Sequence, residues 1–184
     1  MYEDKFKKKI KKLDSTLKYE GRILSVYQDK MQVGESIAYW DMVRVGNAAT
    51  IIPVLDDGSI VMVRQYRPTM EEYILELPAG KFNDGEIDGR ACAMRELEEE
   101  TGYKGEIVEE LICYYPTVAF CTEKIYIYLM NNLKKGETHF DEDEETVVEI
   151  WKPEDLKKAI FNREIKDGKT IAGLMSYFMK YNIM

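Results

Sequence analysis

Histidine and cysteine are scarce in this 184-residue sequence, and their scarcity narrows the possible kinds of active site. The chain has one histidine, His139, which gives no Ser/His or Cys/His arrangement and disfavours a histidine-based zinc site. The three cysteines, Cys92, Cys113 and Cys121, are an odd number without CxxC spacing. We therefore interpret each as a small buried residue, and predict a reducing, cytoplasmic location.

Long apolar runs and an excess of basic residues are also absent. No stretch approaches the length of a membrane span or of a signal-peptide core, so we expect no membrane partner. The net charge of −8 argues against nucleic acid, because binding to a phosphate backbone requires a basic surface. With 45% hydrophobic and 33% charged residues, the composition is that of an ordinary globular protein.

The stretch from Gly80 to Tyr103 is rich in carboxylates and predicts a helix that ends at Gly102. Glu96, Glu99 and Glu100 are spaced so that their carboxylates share one helix face. Like charges so placed cost roughly 0.2–0.5 kcal/mol per pair. A divalent cation such as Mg2+, which prefers oxygen ligands, would account for the cluster. A solvated acidic face is the alternative. We assign to packing the residues Cys92, Ala93, Met94, Leu97 and Thr101.

Two further charged segments could take part in chemistry. The acidic run 141–145 is either a solvated loop or the source of a general base for an activated water. Arg64 and Arg67 are either surface charges or partners for a substrate phosphate. Tyr39 and Trp40 could stack on a base or sugar, although aromatic residues in strands are more often part of a core or interface.

The remaining pattern predicts a mixed sheet with helices on both faces, an α/β/α sandwich. Residues 3–14 have the spacing of a basic amphipathic helix, and a β-hairpin follows with its turn near Gly34. Asp56 to Gly58 predicts a second hairpin between two apolar runs. Several strands follow, one helix begins at Pro153, and the last helix covers roughly residues 170–181.

The carboxylate-rich stretch resembles the Nudix box, G-x5-E-x7-R-E-U-x-E-E-x-G-U, in which U is a bulky apolar residue. Gly80 and Glu86 match the first part of the pattern, and the RELEEETGY segment from Arg95 matches the second. Eight residues separate Glu86 from Arg95, where the pattern has seven. Because glycines flank this join, we expect the extra residue to lie in the loop before the helix, and the role of Glu86 is left open.

Outside the box, several segments resemble the ADP-ribose pyrophosphatase branch of the Nudix superfamily. They are YEGRI, VRQYRP, LELPAGK, YYPTVAFCTEKIYIYL and DEDEE. The resemblance implies a Nudix fold with an N-terminal β-sheet extension, and cleavage of ADP-ribose to AMP and ribose 5-phosphate with Mg2+, or alternatively Mn2+. It also implies a homodimer in which residues 1–45 are used for dimerisation, while residues 46–184 form the Nudix hydrolase domain.

The resemblance also assigns roles by position. Metal would be bound by Glu96, Glu100 and the backbone carbonyl of Ala79, with Glu99 assisting as a bridging or second-sphere group. The catalytic loop is matched by Glu144 and Glu142, of which Glu144 is the first choice for orienting the attacking water.

The substrate contacts implied by the resemblance come from several segments. Arg67 would hold a phosphate, and Glu76 and Thr117 would lie beside the substrate. Arg22 and Ile23 would reach the adenosine side from the partner subunit.

Two departures from the branch bear on the substrate. Residues 117–120 read TVAF where the branch has Ser-Pro-Gly-Phe, and residues 45–47 read VGN where it has a His-Pro-like pair. These departures leave open a pyrophosphatase for another nucleoside diphosphate-sugar. The shifted spacing at Glu86 leaves open a Nudix-fold module that binds a nucleotide without hydrolysing it.

Overall fold

The computed structural model describes residues 9–83, 85–136 and 146–183. Within them, the chain divides into two compact units. The first comprises residues 9–46 and 115–123, and the second comprises residues 47–83, 85–114, 124–136 and 146–183. Residues 115–123 join the first unit through Val43, whose N–H donates to Phe120 O at 2.7 Å and whose carbonyl accepts from the Thr122 N–H at 3.0 Å.

The first unit contains an antiparallel sheet of three strands, β1 (Ile10–Glu20), β2 (Leu24–Val33) and β3 (Ser36–Val45), in the order β1-β2-β3. The predicted turn near Gly34 is confirmed. Val33 pairs with Ser36 across it, and Gly34 has the positive φ of 65° that favours glycine.

The helix predicted for residues 3–14 is wrong where the structure describes it, because residues 10–14 belong to β1. Residues 3–8 lie outside the described residues. Pairing with β2 supplies the backbone partners of this segment, and Lys12 and Ser15 both donate to the buried carboxylate of Asp29, at 3.0 and 2.5 Å. Contacts distant in sequence therefore override the local helical spacing.

The second unit contains seven strands. They are β4 (Ala48–Pro53), β5 (Ile60–Arg67), β6 (Glu72–Glu76), β7 (Ala79–Lys81), β8 (Tyr103–Tyr114), β9 (Ile125–Lys135) and β10 (Thr146–Trp151). One sheet has the order β7-β4-β9-β8 and another has the order β10-β5-β6. The four-stranded sheet is mixed, because β4 runs parallel to β9 and antiparallel to β7.

The hairpin predicted around Asp56 to Gly58 is wrong as a strand pairing. The turn itself forms, with Gly58 at φ 80° and the Leu55 N–H donating to Ser59 O at 2.8 Å, but beyond it the two arms share one bridge, from Val54 to Ile60, and not a strand ladder. The reason is burial: all six residues of β4 are buried, and β7 and β9 occupy its two edges. Strand β5 pairs instead with β6 and β10.

Three helices complete the second unit: α1 (Gly89–Thr101), α2 (Pro153–Phe161) and α3 (Gly168–Lys180). Neighbouring residues of β4 face opposite layers: Ile51 packs in a core cluster with Leu97 of α1, and Ile52 packs in one with Leu174 of α3. The predicted α/β/α architecture is thereby confirmed. Within the described part of the chain, no helix is long and apolar enough to cross a membrane.

The three cysteines are free thiols in different environments. Cys92 is buried, as predicted, whereas Cys121 is half-buried and Cys113 is exposed. The prediction of burial is therefore wrong for Cys113, which lies on β8, where residues alternate between the inside and the surface.

Candidate active site

The predicted carboxylate helix is α1, and local signals set both its ends. Asp88 caps the start by accepting a 2.9 Å hydrogen bond from the Arg90 N–H. Gly102 ends the helix at φ 71°, and its N–H donates to Glu98 O at 2.8 Å. Because α1 is uninterrupted from Gly89, the extra residue of the box pattern is accommodated before the helix.

The packed face of α1 differs from the prediction at one position. Cys92, Ala93 and Leu97 are fully buried and Thr101 is 1% exposed, as expected. Met94, predicted to pack as well, is 51% exposed. At 100° per residue it lies about 60° around the helix from Leu97, at the edge of the buried face, so the apolar stripe is narrower than predicted.

Two of the three carboxylates lie against the short strand β7. Glu100 is 5% exposed, and its Oε2 accepts a 3.0 Å hydrogen bond from the Ala79 N–H. Glu96 lies so close to Gly80 that a Cβ built on that glycine would be 1.9 Å from Glu96 Oε1. The absence of a side chain at position 80 is therefore what allows the Glu96 carboxylate to lie there.

Arg95 connects the carboxylates to one another. Its Nη1 donates to Glu96 Oε1 at 2.7 Å and to Glu99 Oε2 at 2.8 Å, and its Nη2 donates to the Lys81 carbonyl at 3.0 Å. Burial alone would lower the pKa of Arg95, but the neighbouring carboxylates outweigh burial and raise it. Arg95 therefore balances part of the negative charge on this face.

Glu86, whose role the sequence left open, belongs to the same group. Its Oε1 lies 3.5 Å from Arg95 Nε, and its Oε2 accepts a 2.7 Å hydrogen bond from the Asn83 N–H. That backbone hydrogen bond, together with Arg95, lowers the pKa of Glu86. The extra residue has thus not separated Glu86 from the helix carboxylates.

The chemistry of this donor set fits a hard divalent cation. Carboxylate oxygens of Glu96, Glu99 and Glu100 and backbone groups of β7 are the kinds of ligand that Mg2+ takes. The cradle that Gly80 leaves for the Glu96 carboxylate is consistent with this. In the described ranges, no group of three or more His, Cys, Asp or Glu side chains is already arranged around one metal position.

A second charged cluster lies on β5 and β6. Arg67 donates to both oxygens of Glu76, Nε to Oε1 and Nη2 to Oε2, each at 2.7 Å. Glu76 is buried, whereas the side chain of Arg67 is 38% exposed. The hydrogen bonds that Arg67 donates to Glu76, assisted by the charges of Glu76 and Glu100, raise the pKa of Arg67. Arg67 is therefore a fixed cation near the box helix.

Arg64 is directed elsewhere. It forms a two-point ion pair with Glu149 of the neighbouring strand β10, with contacts of 2.5 and 3.2 Å. The Trp151 indole N–H donates to the same carboxylate at 2.8 Å. Of the two arginines that the sequence offered as phosphate partners, Arg64 thus links two strands, and Arg67 is the candidate that remains.

Comparison with known proteins decides the family. The NUDIX domain profile matches residues 45–172, which is more than half of the chain. The chain belongs to the Nudix family. It is 32% identical over 155 residues to an ADP-ribose pyrophosphatase of Bacillus subtilis (strain 168), with 83% of each chain covered. It is also 35% identical over 156 residues to a methanol dehydrogenase activator of Bacillus methanolicus, covering 83% of this chain and 84% of that one.

The fold of this Nudix protein also resembles a solved structure. A crystal structure of an ADP compounds hydrolase superimposes with a TM-score of 0.84, covering 95% of both chains at 19% identity. This likeness confirms the predicted fold.

The other predicted site residues fall into two groups. Thr117, Arg22 and Ile23 belong to the first unit, in which Arg22 and Ile23 are exposed and the Thr117 carbonyl accepts from the Cys121 N–H at 3.0 Å. Glu142 and Glu144 lie outside the described residues. Their assigned roles stay predictions.

Sequence reasoning missed two residues at the start of α3. Lys169 forms ion pairs with Glu76 and Asp167, and Thr170 Oγ1 accepts a 2.9 Å hydrogen bond from the Leu77 N–H. Thr170 is fully buried, and its hydroxyl donates to Asp167 at 2.6 Å. An Asp before a helix is a recognisable cap signal, but no sequence signal joins Thr170 to Leu77, 93 residues earlier in the chain.

Proposed function

We propose that this Nudix hydrolase cleaves the diphosphate linkage of ADP-ribose. Water would add at one phosphorus and the bridging P–O bond would break, giving AMP and ribose 5-phosphate. The observation that carries the proposal is the approach of Glu96 and Glu100 to the Ala79–Gly80 backbone, which brings oxygen atoms that can bind a metal ion together beside one strand. The substrate is suggested by the ADP-ribose pyrophosphatase of Bacillus subtilis, which the chain matches over most of its length.

We propose that Glu96, Glu100 and the Ala79 carbonyl hold Mg2+, with Glu99 assisting and Mn2+ as an alternative. A bound divalent cation polarises phosphoryl oxygens and lowers the pKa of a bound water. Arg95 is held at Glu86, Glu96 and Glu99, so it limits the repulsion among these carboxylates before the cation binds.

The chain's own residues have separate tasks in this proposal. Arg67, fixed by Glu76 and partly exposed, binds a phosphate and offsets the charge that develops on the phosphoryl oxygens. Glu144, or in its place Glu142, orients and deprotonates the attacking water. The catalysis consists of positioning and electrostatics, as is usual for phosphoryl chemistry.

The test is turnover of a substrate panel in Mg2+ and again in EDTA. The panel contains ADP-ribose, other nucleotide sugars, dinucleotides and nucleoside triphosphates, with released phosphomonoesters measured by a phosphatase-coupled assay. Hydrolysis of ADP-ribose that EDTA abolishes supports the proposal. Preference for another nucleotide sugar would keep the reaction and replace the substrate.

The second candidate function is a nucleotide-binding module without hydrolytic activity. One relative is named as a methanol dehydrogenase activator, so not every protein this similar to the chain is named as a hydrolase. If no member of the panel is hydrolysed but ADP-ribose binds in calorimetry, the binding module replaces the hydrolase.

We also propose a cytoplasmic homodimer built on the sheet of the first unit. Support comes from large apolar side chains that are 45–61% exposed on β1 and β3, namely Leu17, Tyr19, Ile37, Tyr39 and Trp40. Arg22 and Ile23 would then contact the adenosine side of the partner's substrate. Light scattering that gives the mass of a monomer at micromolar concentration would contradict the dimer. The cytoplasmic location is supported by the three free thiols, which are consistent with a reducing compartment.

A further inference from the structure

Lys169, in the first turn of α3, is a largely buried cation whose partners are both acidic. Its side chain is 13% exposed and its Nζ contacts Glu76 Oε2 and, at 3.0 Å, Asp167 Oδ2. Asp167 is itself fixed as the cap of α3, because it accepts from the Thr170 N–H at 2.9 Å. Burying a lysine is costly unless it is paired, so a lysine in this position needs a structural or functional reason.

The carboxylate of Glu76 joins Lys169 to Arg67. Glu76 Oε2 accepts from both Lys169 and Arg67 Nη2, while Glu76 Oε1 accepts from Arg67 Nε. Lys169 thus holds the Glu76 carboxylate in place, and that carboxylate in turn orients the guanidinium plane of Arg67. The two-point contact uses the Nε–Nη2 edge of Arg67, and its Nη1 group points away from Glu76.

The charges of the cluster balance in pairs. Arg67 and Lys169 contribute two positive charges, and Glu76 and Asp167 contribute two negative charges. Removing the charge of Lys169 would leave the cluster net negative, and Glu76 would then have Arg67 as its remaining ion-pair partner. Both changes weaken the attraction between Arg67 and a phosphate.

We propose that Lys169 is a positioning residue for substrate binding, acting through Glu76 to hold Arg67 in the orientation that binds the diphosphate. The inference rests on the proposed function, because it needs a phosphate at Arg67. Lys169 itself does not touch the substrate.

The first test compares Lys169→Met with wild type in steady-state hydrolysis of ADP-ribose. We expect KM to rise roughly tenfold and kcat to fall by a smaller factor, since Arg67 binds the phosphate in the ground state and also offsets charge in the transition state. Lys169→Arg, which keeps the charge, should restore KM. Lys169→Gln keeps a hydrogen-bond donor to Glu76 without the charge and should also raise KM. This variant tests the same prediction if Lys169→Met folds poorly.

Lys166 supplies a matched control three residues earlier. It pairs with Glu72 of the same strand β6 at 2.8 Å, but this pair is solvent-exposed, with side chains 49% and 39% exposed. Lys166→Met should therefore leave KM unchanged. An equal rise in KM for both lysine variants would overturn the proposal, because it would indicate a general effect of surface charge.

A double-mutant cycle with Arg67→Gln tests the route of action. If Lys169 acts through Arg67, Lys169→Met raises KM in the wild-type background and adds nothing in the Arg67→Gln background. Additive effects would overturn the proposal, since they would give Lys169 an independent contact. If wild type hydrolyses ADP-ribose and the KM of Lys169→Met equals that of wild type, this inference alone is refuted. If wild type does not hydrolyse ADP-ribose, the proposed function is refuted.

Discussion

The backbone N–H of Ala79 donates a 3.0 Å hydrogen bond to Glu100 Oε2, joining the first residue of β7 to the last turn of α1. Glu100 is 5% exposed, so this carboxylate is held by the protein rather than by bulk water. The contact connects residues 21 positions apart across the loop of the Nudix box. It sets the geometry on which the proposed metal site depends.

Replacing Glu100 with Gln should lower the rate of ADP-ribose hydrolysis by more than about 100-fold, because even outer partners of metal ligands cost 10–100-fold. The circular dichroism spectrum should not change. Glu98→Gln is the matched control on the same helix, since Glu98 pairs with the exposed Lys104 at the surface. Full activity in Glu100→Gln would contradict the metal assignment.

Gly80→Ala should reduce hydrolysis by about 100-fold, the cost expected when a catalytic group is displaced by about 1 Å. The added Cβ would lie 1.9 Å from Glu96 Oε1, so the carboxylate must move. Gly168→Ala is the control, because no atom beyond its chain neighbours and the adjoining backbone of its own helix lies within 4 Å of the Cβ it would add. Equal rates for the two alanine variants would show that the placement of Glu96 against β7 is not required.

Arg95→Met should lower the melting temperature in EDTA by roughly 3–6 °C, because Glu86, Glu96 and Glu99 lose their shared cation. Adding Mg2+ should reduce this deficit, since a bound cation would replace the missing charge. Scanning fluorimetry with and without Mg2+ measures both effects. A deficit that Mg2+ leaves unchanged would argue that the carboxylates do not bind metal.

Thr170→Val should destabilise the protein by about 1–3 kcal/mol, because the buried Leu77 N–H loses its acceptor. Thr170→Ser keeps the hydroxyl and should cost less. Urea unfolding at pH 7 gives both free energies. A valine variant as stable as wild type would mean that the methyl group, and not the hydrogen bond, anchors α3 to this segment.

Glu76 should make the stability depend on acid pH. Burial alone would raise the pKa of Glu76, but hydrogen bonds from Arg67 and the charge of Lys169 outweigh burial and lower it. In the unfolded chain the pKa is about 4.3. The stabilisation is therefore complete above that unfolded value and is lost as the pH falls through the lower, folded value.

Comparing wild type with Glu76→Gln in urea unfolding from pH 7 to pH 3 measures this contribution. The difference in unfolding free energy should stay constant down to about pH 5 and then shrink. A difference that grows as the pH falls would show that the folded pKa of Glu76 is raised.

The sequence by itself determined the box helix, because its signals are local. The 3.6-residue period places Glu96 and Glu100 on one face, and Gly102 ends the helix with the positive φ that glycine tolerates. The box pattern also identified the family correctly. Hydrogen bonds and side-chain contacts within one helix join residues three or four positions apart, so they can be read from the order of residues along the chain.

Only the tertiary structure decided which elements meet. The Asp56–Gly58 turn formed as expected, yet β4 paired with β7 and β9 because a fully buried strand must have partners on both edges. Arg64 and Arg67 are similar in sequence context, but β10 brings Glu149 to the first and β6 brings Glu76 to the second.

Lys169 shows the limit most clearly, since its partner Glu76 is 93 residues away. Which buried charges pair depends on the packing of α3 against the sheet, and that packing follows from many apolar contacts together rather than from any motif. The sequence therefore supplies the chemical groups of the proposed site, and the tertiary structure determines which of those groups pair with one another.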